Sequence, residues 1–402
     1  MTQVISGSPR TPHRFALVTG VLDLGGTTTF LCNLAGELVR RNYPVRVFSF
    51  ASENPLGSDF ERLKIPVFTT DEKRLIYEDR LSLILKELAS FKPTVALANL
   101  SAESFEVLRY MPKGVFRIGT AQADQEGIYR FLAHYAGEMD LLAAISDRIK
   151  QQLQARPEFA AVPVRYVAHG VPVPEPRGER VPNLSGPLRI LYLGRLQREQ
   201  KRVQLFPEIL QALQAAGIPF RWTIAGTGPE EAWLKSTLQS GAANQTISFP
   251  GKVLYGDVPR LLTEHDVFLL ASDYEGQPLS LLEAMVAGLV PVVSDLPSGI
   301  REVVDTDTGK LVPPESARGY AEAIIRLHEN RDELQRLAVN AQEKARCEFT
   351  VSAMADRWLA VLPPVPTGTI LWPERWLLKP ILSAPNRWWF TPPMRWLRRL
   401  LR

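Results

Sequence analysis

Two glutamates eight residues apart, Glu275 and Glu283, are the side chains of this sequence best suited to binding a polar ligand. Glu275 follows the apolar run 267–272, which predicts a buried strand that ends in a polar loop. A helix is predicted to begin near Pro278 and to end at Gly288, because proline suits a first helical turn and glycine tolerates positive φ after the last one. A helix start attracts phosphate, and carboxylates bind hydroxyl groups. A nucleotide sugar fits both features.

Two cations, Arg195 and Lys201, follow another predicted strand at 188–194. Ligands of parallel α/β sheets bind at the carboxyl ends of the strands, so fixed positive charge at this position can neutralise a leaving diphosphate. Arg198 and Arg202 lie close enough in sequence that either of them, rather than Lys201, could supply the second cation.

The run Glu-Gly-Gln-Pro-Leu-Ser-Leu-Leu-Glu-Ala-Met-Val-Ala-Gly at 275–288 resembles the signature of retaining GT-B glycosyltransferases of family 4, the glycosyl transferases group 1. The resemblance implies that Glu275 faces the donor sugar and Glu283 binds the ribose, while Arg195 and Lys201 stabilise the diphosphate. It also implies further contacts to the donor from Val253, Gly276 and Leu279. The alternative is a solvated loop glutamate followed by an ordinary glutamate on a helix face.

A first strand is predicted at 14–20, and the chain then enters Gly25-Gly26 and an amphipathic helix. Glycine lets the backbone approach a ligand closely, and Thr27 or Thr28 is predicted to cap the helix. In the family the equivalent loop lies under the donor phosphates and near the acceptor, whereas a tight turn alone would also require glycine. The G-x-G-x-x-G fingerprint is absent from this loop, which disfavours a nicotinamide cofactor.

Strand-like and helix-like segments alternate along the chain, which predicts the α/β class. With the resemblance, this alternation indicates a GT-B fold of two Rossmann-like doubly wound domains facing a cleft. The Pro- and Gly-rich stretch after residue 170 is typical of a linker. The predicted segments are a flexible N-terminus (1–13), an acceptor domain (14–170), the linker (171–187), a nucleotide-sugar domain (188–346), a helix crossing back to the first domain (347–362) and a basic Trp/Pro-rich tail (363–402).

The first domain departs from the family pattern at the predicted carboxyl ends of its strands. Many relatives carry a histidine that contacts the donor sugar near a point where this chain has Gln122 and Asp124. Gln122 can bind a sugar hydroxyl, and either residue can instead cap a turn. Asn99 is predicted to face the same edge of the sheet. His169, at the start of the linker, is predicted to make a structural hydrogen bond rather than to act as a general base.

No metal and no cofactor are expected. Asp305-Thr-Asp307 matches the D-x-D pattern of metal-dependent glycosyltransferases, but it precedes Gly309 in a predicted turn away from the glutamate pair. One pair of aspartates is a poor divalent-ion site without other ligands. The segment 247–253 resembles the one whose backbone reads the base, and backbone recognition leaves uracil, guanine and adenine open.

Composition predicts a globular cytoplasmic protein. The chain has 45% hydrophobic and 22% charged residues and only two cysteines, Cys32 and Cys347, which favours a reducing compartment. The first fourteen residues lack the apolar core of a signal peptide, and no apolar run approaches the length of a membrane span.

The net charge of the chain is +4. Residues 363–402 contain seven basic residues and one acidic residue and so carry a charge of +6, which leaves 4 − 6 = −2 for the rest of the chain. Nucleic acid is therefore a poor candidate partner.

The tail combines five of the eight tryptophans with arginines on one stripe of a predicted short helix at 394–402. Tryptophan and arginine together suit the headgroup zone of an anionic membrane, and the expected location is then peripheral on the inner face of the plasma membrane. The alternative is packing on the protein itself or on a partner.

The function predicted from these features is retaining, metal-independent hexosyl transfer from a nucleotide-diphosphate sugar to a glycan or lipid-linked acceptor. Such a reaction serves polysaccharide, lipopolysaccharide or glycolipid synthesis. Two alternatives remain, a sugar phosphorylase on the same scaffold and a non-catalytic subunit at the membrane.

Overall fold

The computed structural model describes residues 12–23, 25–71, 73–99, 101–174, 185–240 and 246–379. Most of the predicted N-terminal segment, residues 175–184 of the predicted linker and the predicted helix at 394–402 lie outside these ranges. The chain divides into two compact units. Unit 1 contains residues 1–144, 152–166 and 355–402, and unit 2 contains residues 145–151 and 167–354.

Unit 1 is built on a parallel sheet with the strand order β3-β2-β1-β4-β5-β6-β7. Its strands are β1 (Phe15–Thr19), β2 (Val45–Ser49), β3 (Val67–Thr69), β4 (Val95–Asn99), β5 (Phe116–Ala121), β6 (Leu141–Ala144) and β7 (Val164–Tyr166). The helices between them are α1 (Gly26–Arg40), α2 (Gly57–Arg62), α3 (Tyr77–Phe91), α4 (Ala102–Leu108) and α5 (Glu126–Ala133), while α6 (Asp147–Gln154) is shared by the two units.

Unit 2 repeats this arrangement with the strand order β10-β9-β8-β11-β12-β13, again parallel. Its strands are β8 (Leu188–Leu193), β9 (Phe220–Ala225), β10 (Ile247–Gly251), β11 (Val267–Leu270), β12 (Val290–Ser294) and β13 (Lys310–Val312). Its helices are α7 (Phe206–Ala215), α8 (Glu231–Ser240), α9 (Val258–Thr263), α10 (Leu279–Val286), α11 (Gly299–Val303), α12 (Ala317–Glu329) and α13 (Arg331–Glu348). Helix α14 (Val351–Ala360) begins in unit 2 and ends in unit 1.

The strand order fixes where a ligand can bind in each unit. It reverses direction between β1 and β4 in unit 1 and between β8 and β11 in unit 2. At such a switch point the connections leave the sheet to opposite sides, which opens a crevice outside the carboxyl ends of the two strands. All residues of β1, β4 and β11 are buried, as strands covered on both faces should be.

The predicted alternation of strands and helices is confirmed, and local contacts explain where three of the helices begin or end. Gly288 ends α10 with φ of 81°, and its N–H donates to the carbonyl of Met285. The Ser146 hydroxyl caps the start of α6 by accepting the N–H of Ile149. Helix α3 begins only at Tyr77, because the carboxylate of Asp71 accepts the N–H groups of Lys73 and Arg74 and holds them in a turn.

Among the residues that the structure describes, no helix has both the length and the apolar character needed to cross a bilayer.

Candidate functional site

The loops that follow β8 and β9 support Arg195 through direct backbone contacts. The N–H of Leu196 donates to the carbonyl of Thr227, and the Tyr192 hydroxyl donates to the carbonyl of Arg195. A Cβ on Gly226 would lie 1.9 Å from the carbonyl oxygen of Gly194, so only glycine permits this approach. Gly194 and Gly226 therefore let the loop after β9 pack directly against the loop after β8, which is one of the two strands at the switch point of unit 2.

Glu275 is held in a network of hydrogen bonds at the carboxyl end of β11. Its Oε1 atom lies 2.5 Å from Nζ of Lys201 and 2.8 Å from the donating hydroxyl of Ser272. The side chain of Glu275 is only 6% exposed and that of Lys201 13%. Backbone contacts fasten the two loops, since the N–H of Asp273 donates to the carbonyl of Gln200. The structure thus brings together two residues that the sequence placed on separate loops.

The structure also distinguishes the cations near Lys201. Arg198 pairs with Glu230 at 2.8 Å, and its guanidinium lies 4.4 Å from the ring centroid of Trp233. Arg202 pairs with Asp273. Arg195 is exposed, and within the described part of the chain no acidic side chain lies within ion-pairing distance of it. Arg195 is therefore the cation of this group that remains available to an anionic ligand.

Helix α10 presents two unused donors at its start. Pro278 is the N-cap rather than a residue of the first turn, and it has no side chain that could cap the helix. The N–H groups of Leu279 and Ser280 have no acceptor among the described residues. These two N–H groups and the positive end of the helix dipole suit a phosphate.

Glu283 lies one turn further along α10, among buried residues. Its carboxyl accepts no hydrogen bond from the described residues and keeps partial contact with solvent. Burial raises the pKa of Glu283 to about 7. Between Leu282 and Ala284, both buried, a carboxyl group without a partner is costly unless a ligand supplies hydrogen bonds.

The remaining predicted donor contacts of unit 2 lie on two loops. Gly276 is buried beside Glu275, and its carbonyl accepts the N–H of Gly299 at 2.8 Å. Val253 follows β10 by two residues and is partly exposed. No contact between Val253 and the glutamate pair is recorded among the described residues, so its role stays a prediction.

In unit 1 the predicted cap of α1 is wrong. The N-cap residue is Gly25, and Thr27 and Thr28 both lie inside the helix. The Thr28 hydroxyl donates to Asp23 at 3.2 Å, because that carboxylate is a stronger acceptor than the carbonyls nearby. A Cβ on Gly25 would meet Asp23 no closer than 3.5 Å, so the fold itself does not require glycine there. Leu24 lies outside the described residues, and Gly26 is exposed.

Gln122 lies beside a polar cavity of about 140 Å³ at the switch point of unit 1. Its amide donates to Oδ1 of Asn99, whose own amide donates to the carbonyl of Thr27. Asp124, by contrast, accepts the hydroxyl of Tyr129 at 2.6 Å. The cavity is lined by Thr19, Gly20, Val21, Thr27, Arg80, Asn99, Ser101 and Glu103.

Several residues of that lining, among them Arg80, Ser101 and Glu103, were not predicted from the sequence. Ser101 caps α4 by accepting the N–H of Ser104, which leaves Glu103 in the first turn facing the cavity. Ser101 and Glu103 could have been predicted from their position directly after β4, the same signal that pointed to Asn99. Arg80 lies on α3, whose place beside the cavity depends on tertiary packing.

His169 and the pair Asp305 and Asp307 make structural contacts within unit 2. His169 is 3% exposed, its backbone N–H donates to Oε1 of Gln277 at 2.6 Å, and burial lowers the pKa of its imidazole to about 3. The side chain is therefore neutral at physiological pH. Asp305 and Asp307 form the predicted turn, in which Asp305 accepts the N–H of Asp307 and pairs with Lys344 at 2.9 Å.

Several relatives of this chain are named as glycosyltransferases. Residues 187–330 match the family described as glycosyl transferases group 1. A putative colanic acid biosynthesis glycosyltransferase of Escherichia coli, WcaL, is 30% identical over 328 residues, which cover 75% of this chain and 77% of WcaL. The amylovoran biosynthesis glycosyltransferase AmsK of Erwinia amylovora is 35% identical over 173 residues, 41% of this chain and 42% of AmsK.

Two solved structures show the same fold. Anabaena HepE, determined in complex with UDP and glucose, has a TM-score of 0.69 at 18% identity, and the match covers 87% of this chain and 100% of HepE. S. aureus TarM, determined with UDP and other ligands, has a TM-score of 0.73 at 12% identity over 87% of this chain and 99% of TarM. The predicted GT-B fold, with its two doubly wound sheets, is confirmed.

Proposed function

The chain belongs to the glycosyl transferases group 1 family, and from this premise we propose that it is a retaining, metal-independent hexosyltransferase of family 4. Its donor is a nucleotide-diphosphate sugar, and its product is a polysaccharide, lipopolysaccharide or glycolipid. The polysaccharide assignment is supported by the roles named for WcaL and AmsK, and the nucleotide donor by the UDP bound to HepE.

The observation that carries this proposal is the carboxyl of Glu283. It lies one turn inside a helix whose first two N–H groups are unused, it has no hydrogen-bond partner in the described chain, and burial raises its pKa to about 7. A ribose diol offers two hydroxyl donors, which would satisfy the two carboxylate oxygens. A diphosphate attached to that ribose would then occupy the helix start.

The diphosphate is assigned to four donors in unit 2. Among the described residues Arg195 has no acidic partner, and Lys201 has two further N–H groups besides the one directed at Glu275. The N–H groups of Leu279 and Ser280 complete the set. Charge that develops on the diphosphate in the transition state is then met by fixed positive groups, which lowers the barrier without reorganisation.

Glu275 is assigned to the transferred sugar. Lys201 and Ser272 both approach its Oε1 atom, whereas Oε2 receives only a long contact of 3.5 Å from Gln200. Oε2 can therefore accept a sugar hydroxyl while Oε1 stays anchored. Gly276 is assigned to a contact with the transferred sugar. The backbone of Val253 is assigned to a contact with the nucleotide base.

The proposed chemistry is front-face transfer. The bond between the anomeric carbon and the diphosphate oxygen breaks, and an acceptor hydroxyl forms a bond to the same face of that carbon. The acceptor proton passes to the oxygen of the departing diphosphate, so neither an external base nor a covalent enzyme intermediate is needed. Arg195 and Lys201 stabilise the diphosphate while its negative charge increases.

The acceptor is assigned to unit 1. The cavity beside β1 and β4 is lined mainly by hydroxyl, amide and charged groups, which suits a glycan. Gly25 and Gly26, predicted to lie under the donor phosphates and near the acceptor, begin α1 next to Thr27, which lines this cavity. The absence of a Cβ there leaves room for a ligand. Gln122 orients Asn99 within the same lining, and its predicted contact to a hydroxyl of the donor sugar stays a prediction. We propose a glycan or lipid-linked acceptor and a location on the inner face of the plasma membrane, where residues 363–402 contact anionic lipid.

Slow hydrolysis of the donor tests the stereochemistry without a known acceptor. UDP-, GDP- and ADP-glucose would be incubated with the full chain in the presence of a chelator, and the first sugar released would be followed by proton NMR. The proposal predicts that one donor yields the α-anomer before mutarotation. Release of the β-anomer would refute retention, and a requirement for divalent ions would refute metal independence. Sugar 1-phosphate formed only when phosphate is added would indicate the phosphorylase.

A further inference from the structure

After α14 the chain continues as an irregular segment, residues 363–379, which we call the strap. It contains no helix or strand, and it belongs to unit 1. None of the residues assigned to donor or acceptor lies in it. Its side chains therefore have another role, which their contacts and exposure indicate.

Three contacts fasten the strap to one edge of unit 1. Nε2 of His13 lies 3.0 Å from the carbonyl oxygen of Pro363, and the N–H of Lys379 donates to the Tyr110 hydroxyl at 2.9 Å. Between them, the side chain of Ile370 lies against Gly114, where a Cβ would come within 3.2 Å of it.

The fastening residues share a position in the fold. His13 precedes β1, and Tyr110 and Gly114 precede β5, so the strap runs along the amino edge of the sheet. The polar cavity lies at the carboxyl ends of β1 and β4. Five-residue strands separate the two edges by about 17 Å. Substitutions in the strap therefore leave the cavity lining in place.

The outer face of the strap is unusually apolar. Leu371 is 81% exposed and Leu377 is 85% exposed, more than any other large hydrophobic side chain in the described part of the chain. Arg375 and Lys379 of the strap are exposed, as is Lys113 next to Gly114, whereas the strap has a single acidic residue, Glu374. Exposed leucines on a fastened backbone, in a segment with few acidic residues, suit the surface of an anionic bilayer. The leucines can insert among the alkyl chains, and the anionic headgroups attract lysine and arginine.

The composition of the sequence beyond the strap also favours an anionic lipid surface. Residues 380–402 contain five arginines and no acidic residue, together with Trp388, Trp389 and Trp396. A protein partner would be expected to provide acidic groups for some of these cations, whereas anionic lipid neutralises all of them and also accommodates the indole rings. Charge and aromatic content on both sides of residue 379 thus favour lipid as the occupant.

We propose that the strap is a membrane-docking element that inserts Leu371 and Leu377 into an anionic bilayer at the amino edge of unit 1. This inference rests on the membrane location given under the proposed function and identifies the side chains that enter the lipid. Docking at this edge leaves the sugar-binding edge of unit 1 on the opposite side. Membrane binding and donor binding are consequently separable by mutation.

Vesicle co-sedimentation of the full chain tests the proposal. The vesicles would contain phosphatidylcholine with or without about one quarter phosphatidylglycerol, and the variants would be the double change Leu371→Ser and Leu377→Ser and the control Leu83→Ser. Leu83 is also an exposed leucine of unit 1, but it belongs to α3 and not to the strap. We expect binding that requires the anionic lipid, weakens with added salt, and falls at least about tenfold in the double variant but not in the control.

The proposal is overturned if the double variant binds anionic vesicles as well as the wild type does, since the residues after 379 would then suffice. It is equally overturned if the wild type does not bind, or if the double change abolishes a concentration-dependent dimer in solution instead. Thermal stabilisation by the preferred nucleotide sugar is measured on the same samples. Its persistence in the double variant separates failure of docking from failure of the proposed transfer reaction.

Discussion

The ammonium group of Lys201 and the carboxylate of Glu275 form an ion pair of 2.5 Å at the carboxyl edge of the unit 2 sheet. The sequence suggested separate roles for them, one on the diphosphate and the other on the sugar. Their contact means that each residue also holds the other in position. Because both are largely buried, loss of one leaves the other with an uncompensated charge.

Replacing Lys201 with alanine should lower both transfer and stability. Removal of one partner from a buried pair costs about 3 kcal/mol, which urea unfolding would detect. Adding Glu275→Gln removes the remaining charge, so the double variant should regain most of the lost stability but none of the activity. A single variant as stable as the wild type, or a double variant no more stable than the single one, would contradict the coupling.

Arg195 and Arg198 form a matched pair for testing the diphosphate assignment. Arg195→Ala should reduce transfer or donor hydrolysis by about 10²-fold or more, as for loss of one transition-state donor, with little change in the unfolding midpoint because the side chain is exposed. Arg198→Ala should keep most of the activity, since Arg198 is engaged with Glu230 and Trp233. Equal losses in the two variants would show that Arg195 has no special role.

The raised pKa of Glu283 makes stability depend on pH in a defined direction. The folded chain keeps this proton up to a pH of about 7, whereas the unfolded chain releases it near 4.5, so the folded state binds more protons between these values. The contribution of Glu283 to stability is therefore greatest below pH 4.5 and falls by about 1.4 kcal/mol per pH unit as the pH rises toward 7. Glu283→Gln should lack this decline, and parallel profiles of wild type and variant would contradict the assignment.

Donor affinity should show the opposite dependence on pH. The ionised carboxylate accepts both ribose hydroxyls, so binding of a nucleotide sugar should strengthen as the pH rises from 6 to 8 and level off above the pKa of about 7. The experiment uses a nucleotide sugar as the ligand, because the terminal phosphate of a free nucleoside diphosphate itself titrates in this pH range. Calorimetric titration of Glu283→Gln should give a weak, pH-independent affinity. A flat profile for the wild type would remove Glu283 from the ribose site.

Gly25 tests whether a glycine is kept for the ligand rather than for the fold. Gly25→Ala should unfold like the wild type, because the backbone is extended there and the new methyl group would lie no closer than 3.5 Å to a neighbour. Transfer should nevertheless fall, since the methyl group would occupy ligand space. Gly127→Ala, where a Cβ meets nothing within 4 Å, should retain both properties, and Gly228→Ala should be destabilised because its Cβ would lie 2.2 Å from a carbonyl oxygen. Full activity in Gly25→Ala would contradict the assignment.

Periodicity and turn residues predicted the fold because they act locally. The apolar run of β11 and the proline and glycine around α10 are sufficient to place that strand and helix, and the same signals recur in both sheets. The helix starts were less predictable. Whether Thr28 caps α1 depends on Asp23, and where α3 begins depends on Asp71, both of them carboxylates that compete for nearby donors.

The site was predictable only in part for a related reason. The spacing of Glu275 and Glu283 is recorded in one local motif, but the partners of the cations are not. Arg198 is separated from Glu230 by the whole of α7 and β9, so its engagement appears only once the loops are folded together. Glu103 and Arg80 likewise reach one cavity from different helices, and the spacing of their positions in the sequence gives no sign of this.

The most direct test of the nucleotide-sugar site is thermal unfolding of the full chain with UDP, GDP or ADP. A ligand at about a hundred times its dissociation constant stabilises the native state by about 2.7 kcal/mol, which is measurable without an acceptor. The panel would include Glu283→Ala and the control Glu322→Ala, an exposed helix glutamate paired with Arg318. The account predicts that one nucleotide raises the unfolding temperature of the wild type and of the control but not of Glu283→Ala. No shift with any nucleotide, or an equal shift in all three proteins, would contradict it.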